Sequence, residues 1–301
     1  MIALVAAPTN LGLRPPQPGS VPGAAKAPEA LREAGLHVRM AQRGAVDAGV
    51  VLPGRYVDDD ATRPPRHVRN ERALVDHARR LARRLDRVRE SGAAPLVIGG
   101  DCSLLIGAGL MTRGGAGRGL VHVDGHTDFR HPALTPDCAS VAGEDLAAAI
   151  GLHWPAISGI DGRGPYFEAS RTVHIGCRDD DADLELVQAT IGAVIPAADV
   201  IRDGAAQAAQ RARAVADTGA GYWLQVDVDV LDPEVMPAVD SPSPGGLRAD
   251  ELVELLRGLA PRASGASVTV FDPDLDPDGR YAETLTDVLV EGFAELATAF
   301  G

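Results

Sequence analysis

The sequence predicts an α/β fold: a mostly parallel sheet with helices over both faces. Short apolar runs recur along the chain without the in–out alternation of a half-buried strand, and helical patterns separate them. The residues that carry chemistry also cluster where those apolar runs end, which is where open α/β sheets place their sites.

Taken in order, residues 2–6 (IALVA) open the chain as a buried strand. A stretch rich in Pro and Gly at 13–28 reads as an ordered loop, and a helix follows at 28–34. The long helix expected at 68–90 places Leu74, His77, Leu81 and Leu85 on one face and eight arginines (Arg69, Arg72, Arg79, Arg80, Arg83, Arg84, Arg87 and Arg89) elsewhere. Those arginines read as a solvated face and not as an anion stripe, because the chain as a whole is acidic. Strands at 95–98 and 119–124 bracket a helix at 103–111; a helix at 144–150 leads to a strand at 172–176. Helices at 183–190 and 204–217 precede a strand at 221–229, and a helix at 249–259, a strand at 267–271 and a helix at 282–299 close the chain. No internal repeat or low-complexity linker divides the 301 residues, so residues 1–301 read as one domain.

Composition narrows the function. A net charge of −13 argues against nucleic acid and anionic membranes as partners. Hydrophobic residues at 45% and charged residues at 24% suit a soluble protein with a large core. Cys102, Cys138 and Cys177 are too few and too irregular for a disulfide framework, which points to a reducing compartment. The opening MIALVAAPTNLG lacks the basic region and cleavage pattern of a signal peptide, and no apolar run approaches the ~20 residues of a membrane span. A cytoplasmic location is expected.

Three segments collect metal-ligand residue types. In LVHVDGHTDF, Asp124, His126 and Asp128 follow an apolar strand at spacing i, i+2, i+4, so an extended chain turns them to one side. In YWLQVDVDVLDP, Asp227 and Asp229 likewise share a side of a buried strand, a costly arrangement without a cation or hydrogen-bonding partner. In LVIGGDCSLLIGAG, Asp101 and Cys102 stand at a third strand end. Four carboxylates, Asp124, Asp128, Asp227 and Asp229, balance two divalent cations, which bridging carboxylates hold about 3.5–4 Å apart. Oxygen donors with one imidazole suit Mn²⁺. Two such ions lower the pKa of water toward neutrality, the chemistry of attack on a planar electrophilic carbon.

A fourth segment, FDPDLDPDG, begins like a calcium loop. Its twelfth position is Leu285 where a bidentate glutamate is needed, and a strand precedes it. It reads instead as a strand end, with Asp272 and Asp274 as candidates for holding a cationic substrate and a plain turn as the alternative.

These motifs, in this order, resemble the ureohydrolase family of arginases, agmatinases and formimidoylglutamases. The family's Gly-Gly-Asp-His-Ser, Asp-Ala-His-x-Asp and Asp-x-Asp-x-x-Asp-Pro appear as residues 99–103, 124–128 and 227–233. GAAKAPEALREAGL, HIGCRDDDADLE and MPAVDSPSPGGL resemble three further family segments. The resemblance implies a three-layer α/β/α fold, two Mn²⁺ ions and a homo-oligomer, trimeric or hexameric. It implies that Asp124 and Asp227 bridge the metals, that Asp128 and Cys102 hold the first, and that His126 and Asp229 hold the second. Asp128, or a nearby carboxylate, is the expected proton acceptor. Asp181 matches the aspartate that contacts an α-ammonium group, which favours an amino-acid substrate.

The chain departs from the pattern at four places. Gly125 replaces alanine. The family's proton-shuttling histidine has no clear counterpart, His131 being a distant candidate. Its guanidinium-holding glutamate falls on Val270, with Asp272 or Asp274 as possible substitutes. Cys102 replaces a histidine ligand; a thiolate there favours a softer ion such as Zn²⁺ and lowers the Lewis acidity of the first metal. That suits a more reactive substrate, and antibiotic-pathway relatives hydrolyse Nω-hydroxy-arginine to hydroxyurea and ornithine. The expectation is therefore a binuclear amidinohydrolase for a small guanidino substrate: Nω-hydroxy-L-arginine first, arginine otherwise. Agmatine or formimidoylglutamate is the alternative, and a non-catalytic binding protein with a degraded metal site is the competing class.

Overall fold

A computed structural model describes residues 1–111, 118–135, 137–217 and 219–300. Its strands are β1 (Ile2–Ala7), β2 (Val46–Val50), β3 (Ala94–Gly99), β4 (Gly119–Val123), β5 (Thr172–Ile175), β6 (Ala193–Ile195), β7 (Tyr222–Asp227) and β8 (Ala263–Thr269). They form one sheet in the order β2-β1-β3-β8-β7-β4-β5-β6, every neighbouring pair parallel. The helices are α1 (Ala27–Glu33), α2 (Leu36–Gln42), α3 (Glu71–Glu90), α4 (Leu104–Gly109), α5 (Asp145–Ala149), α6 (Pro155–Ser158), α7 (Leu184–Thr190), α8 (Ala197–Asp203), α9 (Ala205–Ala216), α10 (Ala249–Leu259) and α11 (Arg280–Gly292).

Alternate residues of β1, β3, β4 and β7 feed two separate cores, which makes the three layers. Leu4, Leu96, Ile98, Val121 and Leu224 pack on one face with α1, α2 and α8–α11. Ala3, Val5, Val97, Leu120 and Trp223 pack on the other with α3–α7. Each fully buried Leu or Val contributes about 1.5–3 kcal/mol relative to exposure, so the fold needs no covalent staple; all three cysteines are free and buried. On α3, Leu74, His77, Leu81 and Leu85 are buried as the sequence pattern implies, and Arg79 pairs with Asp161. Among the described residues no helix is long and apolar enough to cross a membrane.

The structure adds elements that apolar runs do not reveal. β2 lies at one sheet edge and is mostly exposed, and β6 is a three-residue edge strand; neither needs a hydrophobic run. α2 and α8 are short surface helices of seven residues each. α11 stops at Gly292, where the chain passes so close to Leu256 that a Cβ would sit 2.7 Å from its Cδ1.

Two local geometries also differ from the expected extended chain. β4 ends at Val123, and Asp128 takes a left-handed φ of 47°, so Asp124, His126 and Asp128 converge through a tight loop. β7 ends at Asp227, whose Oδ1 accepts the Asp229 N–H at 2.8 Å and turns the chain into a 3₁₀ turn over Val228–Val230.

Candidate metal centre and cavity

The carboxyl ends of the four central strands, β3, β8, β7 and β4, meet at one point. After β3, Asp101 is a tether: it accepts N–H donors from Ser103 at 2.8 Å and Gly12 at 3.1 Å, and the Thr9 hydroxyl at 3.3 Å. Its neighbour Cys102 is fully buried, with Sγ donating to Asp227 Oδ2 at 2.7 Å and lying 3.1 Å from Thr269 Oγ1.

The loop after β4 supplies the next donors. Asp124 Oδ1 accepts the His126 N–H at 2.7 Å. His126 Nδ1 lies 2.8 Å from Asp229 Oδ2, and the Gly125 N–H donates to Asp229 Oδ1 at 2.9 Å. Gly125 is required here, because a Cβ would stand 2.6 Å from the Asp229 carbonyl oxygen. Buried Arg178 clamps the surrounding loops through the carbonyls of Gly176 at 2.9 Å, Asp229 at 3.1 Å and Ser243 at 2.7 Å.

Two groups of donor atoms result, each within 4.8 Å: Cys102, Asp124 and Asp128, and Asp124, His126 and Asp229. The six metal ligands expected from sequence are therefore brought together, with Asp227 joined through Cys102. Burial, reinforced by neighbouring carboxylates, pushes Asp124, Asp128 and Asp227 well above the usual carboxylate range. Burial also raises Asp229, but the hydrogen bond and charge of His126 outweigh it and leave Asp229 low. The Asp229 hydrogen bond raises His126 against the effect of its burial. Burial, with the charges of Asp227 and Asp145, holds the Cys102 thiol well above its normal range. So dense a set of buried carboxylates stays ionised only against added positive charge. Asp124 Oδ2 is buried with no hydrogen-bond partner. Hard oxygen donors, an imidazole and an orphaned oxygen fit divalent cations.

Above this floor opens a cavity of about 550 Å³, within the range of small-molecule sites. Asp128, Asp227 and Asp229 line it together with Arg14, Arg63, Arg69 and Arg130. Asp181 lines its wall, oriented by the Thr127 hydroxyl at 2.7 Å and the Thr127 N–H at 2.9 Å.

Three candidates are not brought to the cavity. His131 is buried behind it, edge-on to Phe129 at 6.0 Å, and burial lowers its pKa. Asp272 accepts the N–H groups of Gly23 and Asp274, and Asp274 pairs with Lys26, so both secure the N-terminal segment. Val270 lines the cavity instead. Its φ of 76° is an outlier for a β-branched residue, with its N–H donating to the Gly100 carbonyl at 2.7 Å.

Sequence reasoning missed four acidic or imidazole groups. Asp240 lines the cavity, its pKa pushed to about 6 by burial and by Asp229; its signal was the MPAVDSPSPGGL segment. Glu144 lines it too, held by the N–H groups of Ala139 at 2.8 Å and Ser140 at 3.1 Å and by His153 at 3.1 Å. His122 and Asp145 lie beneath the floor, 3.3 Å apart. A histidine inside the apolar run LVHVD was the available clue to the first, while nothing near Asp145 pointed to the site.

Comparison with known proteins bears on this arrangement. The model of the Arginase family matches residues 2–294. The arginase of Brevibacillus brevis is 28% identical over 286 residues, 89% of this chain and 91% of that one. The formimidoylglutamase of Halobacterium salinarum is 31% identical over 268 residues, 87% and 78% of the two chains. The crystal structure of the Bacillus caldovelox arginase superposes with a TM-score of 0.85 at 26% identity, covering 97% of each chain.

Proposed function

The chain belongs to the arginase family, whose members hydrolyse amidino C–N bonds, and from that premise we propose that it cleaves the guanidino group of Nω-hydroxy-L-arginine, giving hydroxyurea and ornithine. Val270 carries the reading. Arginine brings a permanent guanidinium cation, which a carboxylate at that strand end would hold. Val270 offers methyl groups, and Asp272 and Asp274 are committed elsewhere. An electron-withdrawing N-hydroxyl group lowers the basicity of a guanidine, so the hydroxylated substrate needs no carboxylate there.

The cofactor proposed is a pair of divalent cations, Mn²⁺ or a softer ion, held by Asp124, His126, Asp128, Asp227 and Asp229, with Cys102 alongside. Such a pair lowers the pKa of water and polarises the carbon under attack. The rest falls to the protein. Asp181, locked by Thr127, receives the α-ammonium group. Arg14 and Arg130, in the cavity lining, face the α-carboxylate. Asp128, in the same lining, takes the proton of the attacking water and returns it to the departing amine.

The test is product analysis with Mn²⁺-loaded protein. Nω-hydroxy-L-arginine is expected to exceed L-arginine at least tenfold in kcat/KM, with hydroxyurea as product. Equal or faster release of urea from arginine, or preferred hydrolysis of agmatine or formimidoylglutamate, would overturn the assignment.

A further inference from the structure

Beneath the cavity floor four buried donor atoms point at one another without aligned hydrogen bonds. They are His122 Nε2, Asp124 Oδ2 and both oxygens of Asp145. All three residues are essentially inaccessible to solvent. His122 Nε2 lies 3.3 Å from Asp145 Oδ1 and 3.7 Å from Asp124 Oδ2. His122, Asp128 and Asp145 also form a group with donor atoms within 4.8 Å of one another.

We propose that His122 and Asp145 are metal ligands, and that with Asp128 they hold the inner cation in place of Cys102. The proposal rests on reading the site as a two-cation centre. Donors about 2.1 Å from an octahedral ion lie about 3 Å apart when adjacent and about 4.2 Å apart when opposite. The 3.3 Å between His122 Nε2 and Asp145 Oδ1 falls in that interval. Cys102 Sγ lies near Asp124 and Asp128 too, but it is a soft donor among hard carboxylates, and it donates to Asp227 and touches Thr269. The missing imidazole is thus supplied from inside β4.

The proton positions agree. Metal binding at His122 Nε2 requires the ring proton on Nδ1, and Nδ1 lies 3.0 Å from His174 Nδ1, the register partner on β5. His122 then donates and His174 accepts, the outer hydrogen bond that ligating histidines normally have. One imidazole with two carboxylates is a hard donor set, so the inner ion is Mn²⁺ and the softening expected from Cys102 does not arise. Asp145 also adds an anion beyond the four that offset two divalent cations. That lowers the Lewis acidity of the pair, in keeping with a reactive substrate.

The test reads metal, not turnover. Protein dialysed against Mn²⁺ is assayed for bound ions as wild type, Cys102→Ser, His122→Gln and Asp145→Asn. Wild type is expected to hold about two ions per chain. Cys102→Ser keeps both; His122→Gln and Asp145→Asn each weaken one ion at least about 100-fold, beyond the usual effect of an outer partner. Wild type loaded with Co²⁺ gives an answer even if a variant fails to fold: no sulfur-to-cobalt charge-transfer band is expected. Two bound ions with such a band, or loss of an ion in Cys102→Ser alone, would overturn the proposal and leave the two-cation reading intact. Fewer than two ions in wild type would overturn both.

Discussion

The outer and inner halves of the proposed metal centre are built on opposite plans. In the outer half, His126 and Asp229 already satisfy each other at 2.8 Å, and backbone N–H groups of Gly125 and His126 hold Asp229 and Asp124. In the inner half, His122 Nε2 and both Asp145 oxygens have no aligned partner. A preassembled half keeps its shape without help, whereas a half whose buried acids lack aligned hydrogen bonds depends on the charge it binds.

Removing metal should expose that difference most strongly. Chelation should abolish turnover, with recovery on adding Mn²⁺. It should also lower stability by about 2.7 kcal/mol for each site that had been 100-fold saturated. The pH dependence should reverse in sign. Asp124, Asp128 and Asp227 have raised pKa values when folded, and Asp240 sits at about 6. The metal-free native state therefore binds more protons than the unfolded chain. Its stability should fall as pH rises above the ordinary carboxylate range, through 6 and beyond. Metal-loaded protein should gain stability over the same interval, because the ligands must be deprotonated. Thermal melts from pH 4 to 8, with and without chelator, check both directions; parallel curves would erase the contrast between the halves.

Substrate contacts on the outer side should follow in size. Asp181→Ala removes a charge-assisted contact of about 1.5–3 kcal/mol, so kcat/KM should drop roughly 10- to 100-fold, mostly through KM. Thr127→Val removes one of the hydrogen bonds that aim Asp181 and should cost about 1 kcal/mol, roughly fivefold in kcat/KM. A kcat loss without change in KM would place Asp181 in the chemistry instead.

A last substitution tests how tightly the outer half is packed. Gly125→Ala drives a Cβ against the Asp229 carbonyl, which should cost about 1–3 kcal/mol of stability. The inner metal should be unaffected, and weakening of both ions together would show that the two halves are not independent.

What the sequence revealed follows the same division. Interior strands announce themselves by apolar runs such as LVHV and YWLQV, whereas edge strands β2 and β6 carry too little buried side chain to do so. The outer ligands stand beside those runs, at spacings that read as a metal motif. Asp128 and Asp229 converge through a left-handed φ and a 3₁₀ turn, not the extended spacing that suggested them. His122 hides within a strand, and Asp145 comes from α5, away from any strand end. Asp272, Asp274 and His131 had suitable chemistry, but the fold spends it on the N-terminal segment and on packing beside Phe129.

Anomalous diffraction at the manganese edge, on crystals grown with Mn²⁺, tests the centre most directly. Two peaks are expected, one beside His126 and Asp229, the other about 2.1–2.3 Å from His122 Nε2 and Asp145 and clear of Cys102 Sγ. A single peak, or an inner peak bonded to Cys102 Sγ with His122 left unligated, would contradict the two-plan centre.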